Sequence, residues 1–464
     1  MNIDFSQYSR SCGESALIAL RHYFPQLPGW FESIPDFRQP GKILFSGDFL
    51  CHLALWQRIS GIESNNKFES ELAQSENLLR NLKAYLGREI PELPGIDTIC
   101  YFMQRLPPEH LQKIIDNMIY TLNRKKFLDS LKTDNDYILL GVDGVHAFSS
   151  TRPLEHSTHK THGNDKTTYH KYFLEAKIIS RQGIVLSVHT EPVENPDGEF
   201  DKQDCETKAF KRLVLAVAKK HPHMKFFILL DSLYCNEPVI NLCRSHGWGY
   251  SVAFKGASQN RPLMDEFIEG INLDRKNRKT IEFRQNSRSR LRIELKWCNN
   301  ASHRFDGKEV KGLNYIEGVI TRKHADGRET VFKMAYITSM EISMMNALDI
   351  FNTCRERWKI ENQGFNFQKN SALNIGHNFC SRGHAAFNYY LFAQMAHIIL
   401  QLTCLTDIVK HWRKKQDLGD DTAGNSLLKL FHTFKRIFEK IKLDLFEKVM
   451  NLYEFKDLRI RLPT

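Results

Sequence analysis

YILLGVDG, residues 137–144, is a short apolar run that closes on an acid and a glycine. It is too short for a core helix, and a continuous apolar run of this length reads as a strand buried on both faces. KFFILLDS, residues 225–232, repeats the design and also delivers an aspartate where its apolar run stops. The first expectation is therefore two strands that carry Asp143 and Asp231 out of a sheet at their carboxyl ends.

Outward from these runs the pattern continues. YFLEAKIIS (172–180) and GIVLSVHTEPVE (183–194) read as strands joined by the turn Arg181-Gln182-Gly183. A helix over 204–220 shows Phe210, Leu213, Val214 and Val217 on one face, and a second helix is expected near 236–246 before the strand GYSVAFK. Three meandering strands, a helix, a central strand, a helix and a further strand predict an α/β core over 134–256 with a mixed sheet and helices on both faces. Residues 257–340 break the alternation. IEFRQNSRSRLRIELKWC, YIEGVITRK and TVFKMAYIT predict a β-rich insertion, with Asp326-Gly327 as a hairpin turn.

The flanks read as helical. Residues 1–133 form an N-terminal region in which Asp97 is expected to cap the helix of TICYFMQRL. PPEHLQKIIDNMIYTLNRKKFL carries an apolar stripe at Leu111, Ile114, Ile115, Met118 and Leu122 and ends on Arg124, Lys125 and Lys126. That basic end suits either a phosphate backbone or simple packing of a helical module. Residues 341–400 return to the core and 401–464 form a helical tail with basic clusters at 410–415 and around Lys435, Arg436, Lys440 and Lys442.

Bulk properties narrow the class. The chain has 464 residues and a formal charge of +11 at pI about 9.0, a balance that suits a polyanionic partner. Its ten cysteines are scattered singly with no C-x-x-C, so neither a zinc ribbon nor a disulfide framework is indicated, and the pattern suits small buried residues in a reducing cytosol. MNIDFSQYSR is not a signal peptide. AAFNYYLFAQMAHIILQL is apolar but holds Asn388, Gln394, His397 and Gln401, so a buried helix is expected and not a membrane span.

A third acid, Glu361, lies in the helical string CRERWKIENQGF, with Arg357 one turn before it. Two strand-end carboxylates and one on a later helix are the set that holds divalent ions for attack on a phosphodiester. The competing reading of Arg357 and Glu361 is a surface i,i+4 ion pair. Between Arg275 and Arg292 eight basic residues, among them Arg284, Arg288, Arg290 and Arg292, face one acid, Glu282. This suits phosphate tracking, and equally describes a solvated charged face. His156, His159 and His162, with His170 beyond, have a spacing compatible with zinc but lack the usual cysteine or acid companions. The acidic run Glu191 to Glu206 reads as a turn and a helix N-terminus. Trp297 reads first as a packing residue.

The string RWKIE, with VDG at 142–144, EAKIIS and LLDSLY, resembles the Y-x2-R-x3-E-x6-K signature and the catalytic core of DDE transposases from bacterial insertion sequences. The resemblance spans roughly 90–400. It implies a ribonuclease-H-like core interrupted by a β-rich insertion, with Asp143, Asp231 and Glu361 binding two Mg²⁺ or Mn²⁺ ions. It implies cleavage of element ends and strand transfer by a 3′-hydroxyl, and a homodimer on double-stranded DNA in the cytoplasm, associated with the nucleoid. Arg357, Trp358, Lys369 and the insertion arginines would contact DNA, and Trp297 would gain a base-stacking role. Two positions depart from the signature. Cys354 stands in place of Tyr, and Gln368 in place of Lys, with Lys369 one residue later and about 100° further round an α-helix. The rival readings are an inactive relative that binds ends and regulates, and a zinc-stabilised DNA-binding protein built on the histidine loop.

Overall fold

The run YILLGVDG opens a longer strand than its composition suggests. In the computed structural model, which describes residues 12–90, 92–163, 166–195, 202–254, 261–273, 276–286, 289–371, 373–405 and 437–446, β1 spans Ile138–Ser150. Asp143 therefore lies within its strand and does not end it. The reason is that β1 has two different partners. It pairs in parallel with β5 (Phe226–Leu230) only over Ile138–Gly141, whereas β3 (Thr167–Ile179) runs antiparallel beside it to Ser150. Asp231 does leave its strand, as the residue after Leu230.

The sheet is mixed and mostly antiparallel. With β4 at Val185–Val193 and β6 at Gly249–Ala253, the order across the first part is β4–β3–β1–β5–β6. The β4, β3 and β1 pairings are antiparallel, and the β1–β5 and β5–β6 pairings are parallel. A short β2 (Thr158–Thr161) pairs with the beginning of β3. The segment expected as an insertion begins with a helix, Arg261–Leu273. It then forms an antiparallel meander, β7 (Arg278–Asn286), β8 (Ser289–Phe305), β9 (Lys308–His324) and β10 (Glu329–Thr338). β10 pairs with β6, so the meander extends the core sheet to ten strands. Gly327 turns the last hairpin at φ +83°, which a side chain would resist.

Helices cover both faces because neighbouring strand residues point opposite ways. On β4 the Thr190 hydroxyl donates to Glu175, on the face covered by the helix Ala385–Cys404. The next residue, Glu191, turns to the other face and pairs with Arg212 of the helix Glu206–Lys220. The Ala385–Cys404 helix is the apolar segment read as a buried helix. Asn388 donates to the carbonyls of Met103 and Leu106 at 2.8 and 2.7 Å, and Gln401 to that of Val185 at 2.6 Å. No helix among the described residues is long and apolar enough to cross a membrane.

The N-terminal helices pack around that central helix. Every residue of Gly47–Ile59 is buried, and helices Ile96–Arg105 and Pro108–Arg124 complete the layer. Asp97 lies in the first turn of its helix, where Gly95 is the N-cap, so its charge meets the helix dipole and its side chain makes no cap. One hydrophobic core runs from these helices through β1, β3, β5 and the Ala385–Cys404 helix. A second core lies between the meander and the helix Ala347–Arg355, and includes Trp297 at 1% exposure. The helical residues 437–446 return to the N-terminal layer, where Ser75 and Asn81 donate to the carbonyls of Phe446 and Leu445 at 2.8 Å each.

Candidate active site

Register alone brings the two aspartates level. Gly141 pairs with Leu229, an offset of 229 − 141 = 88 residues, and Asp143 and Asp231 are also 231 − 143 = 88 apart. Two residues beyond the last paired position of adjacent parallel strands, they stand side by side on the same face. Each carboxylate is oriented by backbone. Asp143 Oδ1 accepts from the Gly144 N–H at 2.9 Å, and Asp231 Oδ1 accepts from the Leu233 N–H at 2.8 Å, capping a short 3₁₀ turn.

Glu361 arrives on a π-helical turn, Ile360–Phe365, that lies across β1 and β4. Lys359 anchors its start by donating to the carbonyls of Ser180 and Arg181 at 2.9 and 3.0 Å, and Ile360 packs over Gly141. Arg357 joins the elements. Its Nη1 lies 3.3 Å from Asp143 Oδ2 and its Nη2 donates to Glu361 Oε1 at 2.7 Å. The i,i+4 pair expected on the helix is thus real, but it reaches into the sheet and is not a free surface pair. Burial would lower the guanidinium's affinity for its proton, and Glu361, Asp143 and Asp231 together more than reverse this.

The electrostatics record a crowd of negative charge. Burial pushes the Asp143 carboxyl up to about 7. Glu361 and Asp231 add to the rise, while Arg357 and the Gly144 N–H oppose it. Among the described residues no three His, Cys, Asp or Glu side chains stand in ready-made metal-ligating geometry. At this site the guanidinium of Arg357 occupies oxygens of Asp143 and Glu361 that a cation would otherwise take.

A π-helical turn holds one residue more than an α-helical one, which bears on the lysine that the resemblance leaves one residue late. Counted through it, the eighth residue after Glu361 falls near where the seventh would fall on an unbroken α-helix. Gln368 is fully buried and donates to Gln394 at 2.7 Å, while Lys369 reaches the surface within electrostatic range of His146. Cys354 is a core residue packed beneath the meander, its thiol pushed by burial up to about 12, and it does not face the carboxylates.

Other expectations separate. Trp358 is 38% exposed beside Arg357, lining an open cleft with Arg181, Asn352 and Arg355. Trp297 is buried, so it packs and offers no face for a base. On the meander Arg284 and Arg290 are exposed, whereas Arg292 pairs with both Glu282 and Glu294. Arg275, Arg288 and the basic clusters at 410–415 and 435–436 lie outside the described residues. Lys125 donates to the His22 carbonyl and Lys126 lies 3.6 Å from Asp129, so that basic end is partly engaged. The histidine loop does not converge. His156 stacks on His384, His159 lies 3.4 Å from Asn195, and His162 lies 3.1 Å from Thr168.

The residue that sequence reading missed is Glu206. It stands in the first turn of its helix, as the acidic run suggested, but its two oxygens accept from Tyr172 and Tyr234 at 2.7 Å each. Both tyrosine hydroxyls are held far above the ordinary phenol range by burial and by Glu206, with Asp143 and Asp231 adding to the effect. Glu206 thus ties β3 to the turn after Asp231 directly behind the aspartates. Only the tyrosine three residues after Asp231 hints at this in the sequence.

Compared with known proteins, the chain matches no family model and no curated protein.

Proposed function

We propose that this chain is a metal-dependent DNA nuclease and strand transferase of the insertion-sequence transposase type. The observation that carries the reading is that one guanidinium, Arg357, touches both Asp143 and Glu361, with Asp231 near enough to act electrostatically on Asp143 and on Arg357, from two strands and a helix distant in sequence. The order β4–β3–β1–β5–β6, with its antiparallel and then parallel pairings, supports a ribonuclease-H-like core. The meander between Asp231 and Glu361 supports the interrupting insertion.

The donor set suits hard divalent ions, since all three groups are carboxylates. Burial is the largest upward pressure on Asp143, and Glu361 and Asp231 add to it negative charge of the kind a bound cation would offset alongside Arg357. Mg²⁺ or Mn²⁺, two ions in a complete site, would supply electrostatic stabilisation of the attacking and leaving oxygens. The chain's own residues do the rest. Arg357 fixes Glu361 against Asp143, the Leu233 N–H aims Asp231, and Glu206 holds the two tyrosines that wall the site. Lys369, Trp358, Arg284 and Arg290 offer contacts to double-stranded DNA, and a homodimer would engage two element ends.

Incubating the protein with duplex DNA carrying the flanks of its own coding sequence, in Mg²⁺ or Mn²⁺, tests the reading. Nicking at the element ends is expected. Asp143→Ala, Asp231→Ala and Glu361→Gln should each slow it at least about a hundredfold. End binding without metal-dependent nicking would instead identify a regulator.

A further inference from the structure

Two cysteines far apart in sequence meet where the N-terminal layer touches the chain beyond Glu361. Cys100 lies in the helix Ile96–Arg105, and Cys380 in the segment between the helices Asn366–Asn370 and Ala385–Cys404. Asn65 fixes their approach. Its Nδ2 lies 3.2 Å from Cys100 Sγ and donates to the carbonyl of Phe379, the residue before Cys380, at 2.8 Å. Gln104, one helical turn after Cys100, places its Nε2 3.5 Å from Cys380 Sγ. The Gln104 carbonyl accepts from the His384 N–H at 3.0 Å, which ties the end of the same segment to the same helix. The two thiols are hydrogen-bonded to each other. Both cysteines are half-buried, so neither is sealed in the core.

The pair is unequal. Cys380 accepts the hydrogen bond from Cys100, and N–H groups of Arg382 and Gln104 add to it. With the Arg382 charge they draw the Cys380 thiol down to about 6, against the opposing effect of burial. Cys100 donates that bond. Burial, the Cys380 charge and Asp97 strengthen the hold on its proton, against the Tyr389 hydroxyl. One sulfur is thus a thiolate at neutral pH while its neighbour stays a thiol. That is the arrangement of a peroxide-reactive cysteine beside a resolving one.

We propose that Cys380 and Cys100 form a reversible oxidation site for hydroperoxides, closing to a disulfide between the N-terminal layer and the segment that follows the Glu361 helix. The proposal does not depend on the nuclease reading. The Cys380 thiolate attacks the hydroperoxide, an S–O bond forms as the O–O bond breaks, and the departing oxygen takes a proton to leave as water or an alcohol. The Cys100 sulfur then attacks the sulfenic acid. An S–S bond forms, and the hydroxyl leaves with the Cys100 proton as water. Two thiols lose two electrons, and one peroxide gains them. A small thiol reverses the bond by exchange. The bond would fasten a segment that also crosses β1, where a Cβ on Gly376 would lie 3.5 Å from the Ala147 carbonyl oxygen.

The alternative is a pair of small residues that fill a polar gap and stay reduced. Hydrogen peroxide added to the full chain, then alkylation, digestion without reductant and mass spectrometry, separates the two. A cross-linked Cys100–Cys380 peptide is expected, and dithiothreitol should release it. It should form at least about tenfold faster than in urea-unfolded protein, since the fold supplies both the thiolate and the neighbour. Before oxidation, iodoacetamide at neutral pH should label Cys380 at least about tenfold faster than Cys100. In Cys100→Ser, Cys380 should stop at the sulfenic acid and be trapped by dimedone. These wild-type readouts need no folded variant. Both thiols recovered reduced, Cys380 overoxidised without a cross-link, Cys100 labelled ahead of Cys380, or equal cross-linking in urea would each overturn the proposal.

Discussion

Gly144 shows how closely single atoms are set behind the carboxylates. A Cβ on it would fall 1.8 Å from the Tyr172 hydroxyl, which donates to Glu206. Gly144→Ala must therefore push Tyr172 off Glu206. It should cost about 1–3 kcal/mol in urea unfolding and slow nicking, whereas an unperturbed melt would show that the contact yields freely. His52 makes a different test at the same scale. It is fully buried between the rings of Phe31 and Tyr85, and burial holds its pKa down at about 3, against 6.5 when exposed. The unfolded chain thus takes up a proton near pH 6.5 that the folded chain refuses until about 3. Stability is fully present above pH 6.5 and falls as pH drops through the window between, by up to about 1.4 kcal/mol per pH unit for this one group. His52→Phe should flatten that acid limb. A limb as steep as in the wild type would assign it to other groups, such as His221 and His397, whose burial acts in the same direction.

At the scale of elements, the π-helical turn that carries Glu361 lies on a buried ion pair. Lys177 and Glu175 are both fully buried on β3, 3.0 Å apart, and Lys177 also donates to Gln394 of the Ala385–Cys404 helix at 2.6 Å. Ser187 donates to Glu175 at 2.7 Å, and Gln368, seven residues after Glu361, joins through Gln394. Removing one charge leaves the other stranded in the core. Lys177→Ala should cost about 3–5 kcal/mol and loosen Glu361. The double change Lys177→Met with Glu175→Gln should recover much of the stability, as thermal melts would show. Equal melting temperatures for wild type and Lys177→Ala would contradict the burial of this pair. EAKIIS read only as part of a strand, and nothing in it shows that Glu175 and Lys177 pair in the core. The partner that buries them, Gln394, lies 217 residues away. The strand and helix positions were legible because apolar periodicity is local. The full length of β1 was not, since pairing to β3 alone sustains it past Gly141. The π-helical turn was not legible either, because backbone hydrogen-bond register leaves no mark in residue type.

Across the whole molecule, the helical N-terminal layer, the sheet and the Ala385–Cys404 helix share one core, so the carboxylates sit on a frame that helices brace from both sides. The meander adds a second, smaller core but continues the same sheet, which fixes the distance from Asp231 to Glu361 despite the long intervening chain. The three acids stood out in the sequence because apolar runs closing on an acid and a helical R-x3-E string are recognisable patterns, although Asp143 lies inside β1 and not at its end. It missed Glu206 because that role depends on two tyrosines brought in from other elements. The central claim is that Asp143, Asp231 and Glu361 act together on a divalent ion. Electron paramagnetic resonance of Mn²⁺ titrated into the DNA-bound protein tests it most directly. Bound Mn²⁺ should appear with the wild type and be lost in Asp143→Ala, Asp231→Ala and Glu361→Ala alike. Mn²⁺ binding that survives all three substitutions, or is absent from the wild type, would contradict the account.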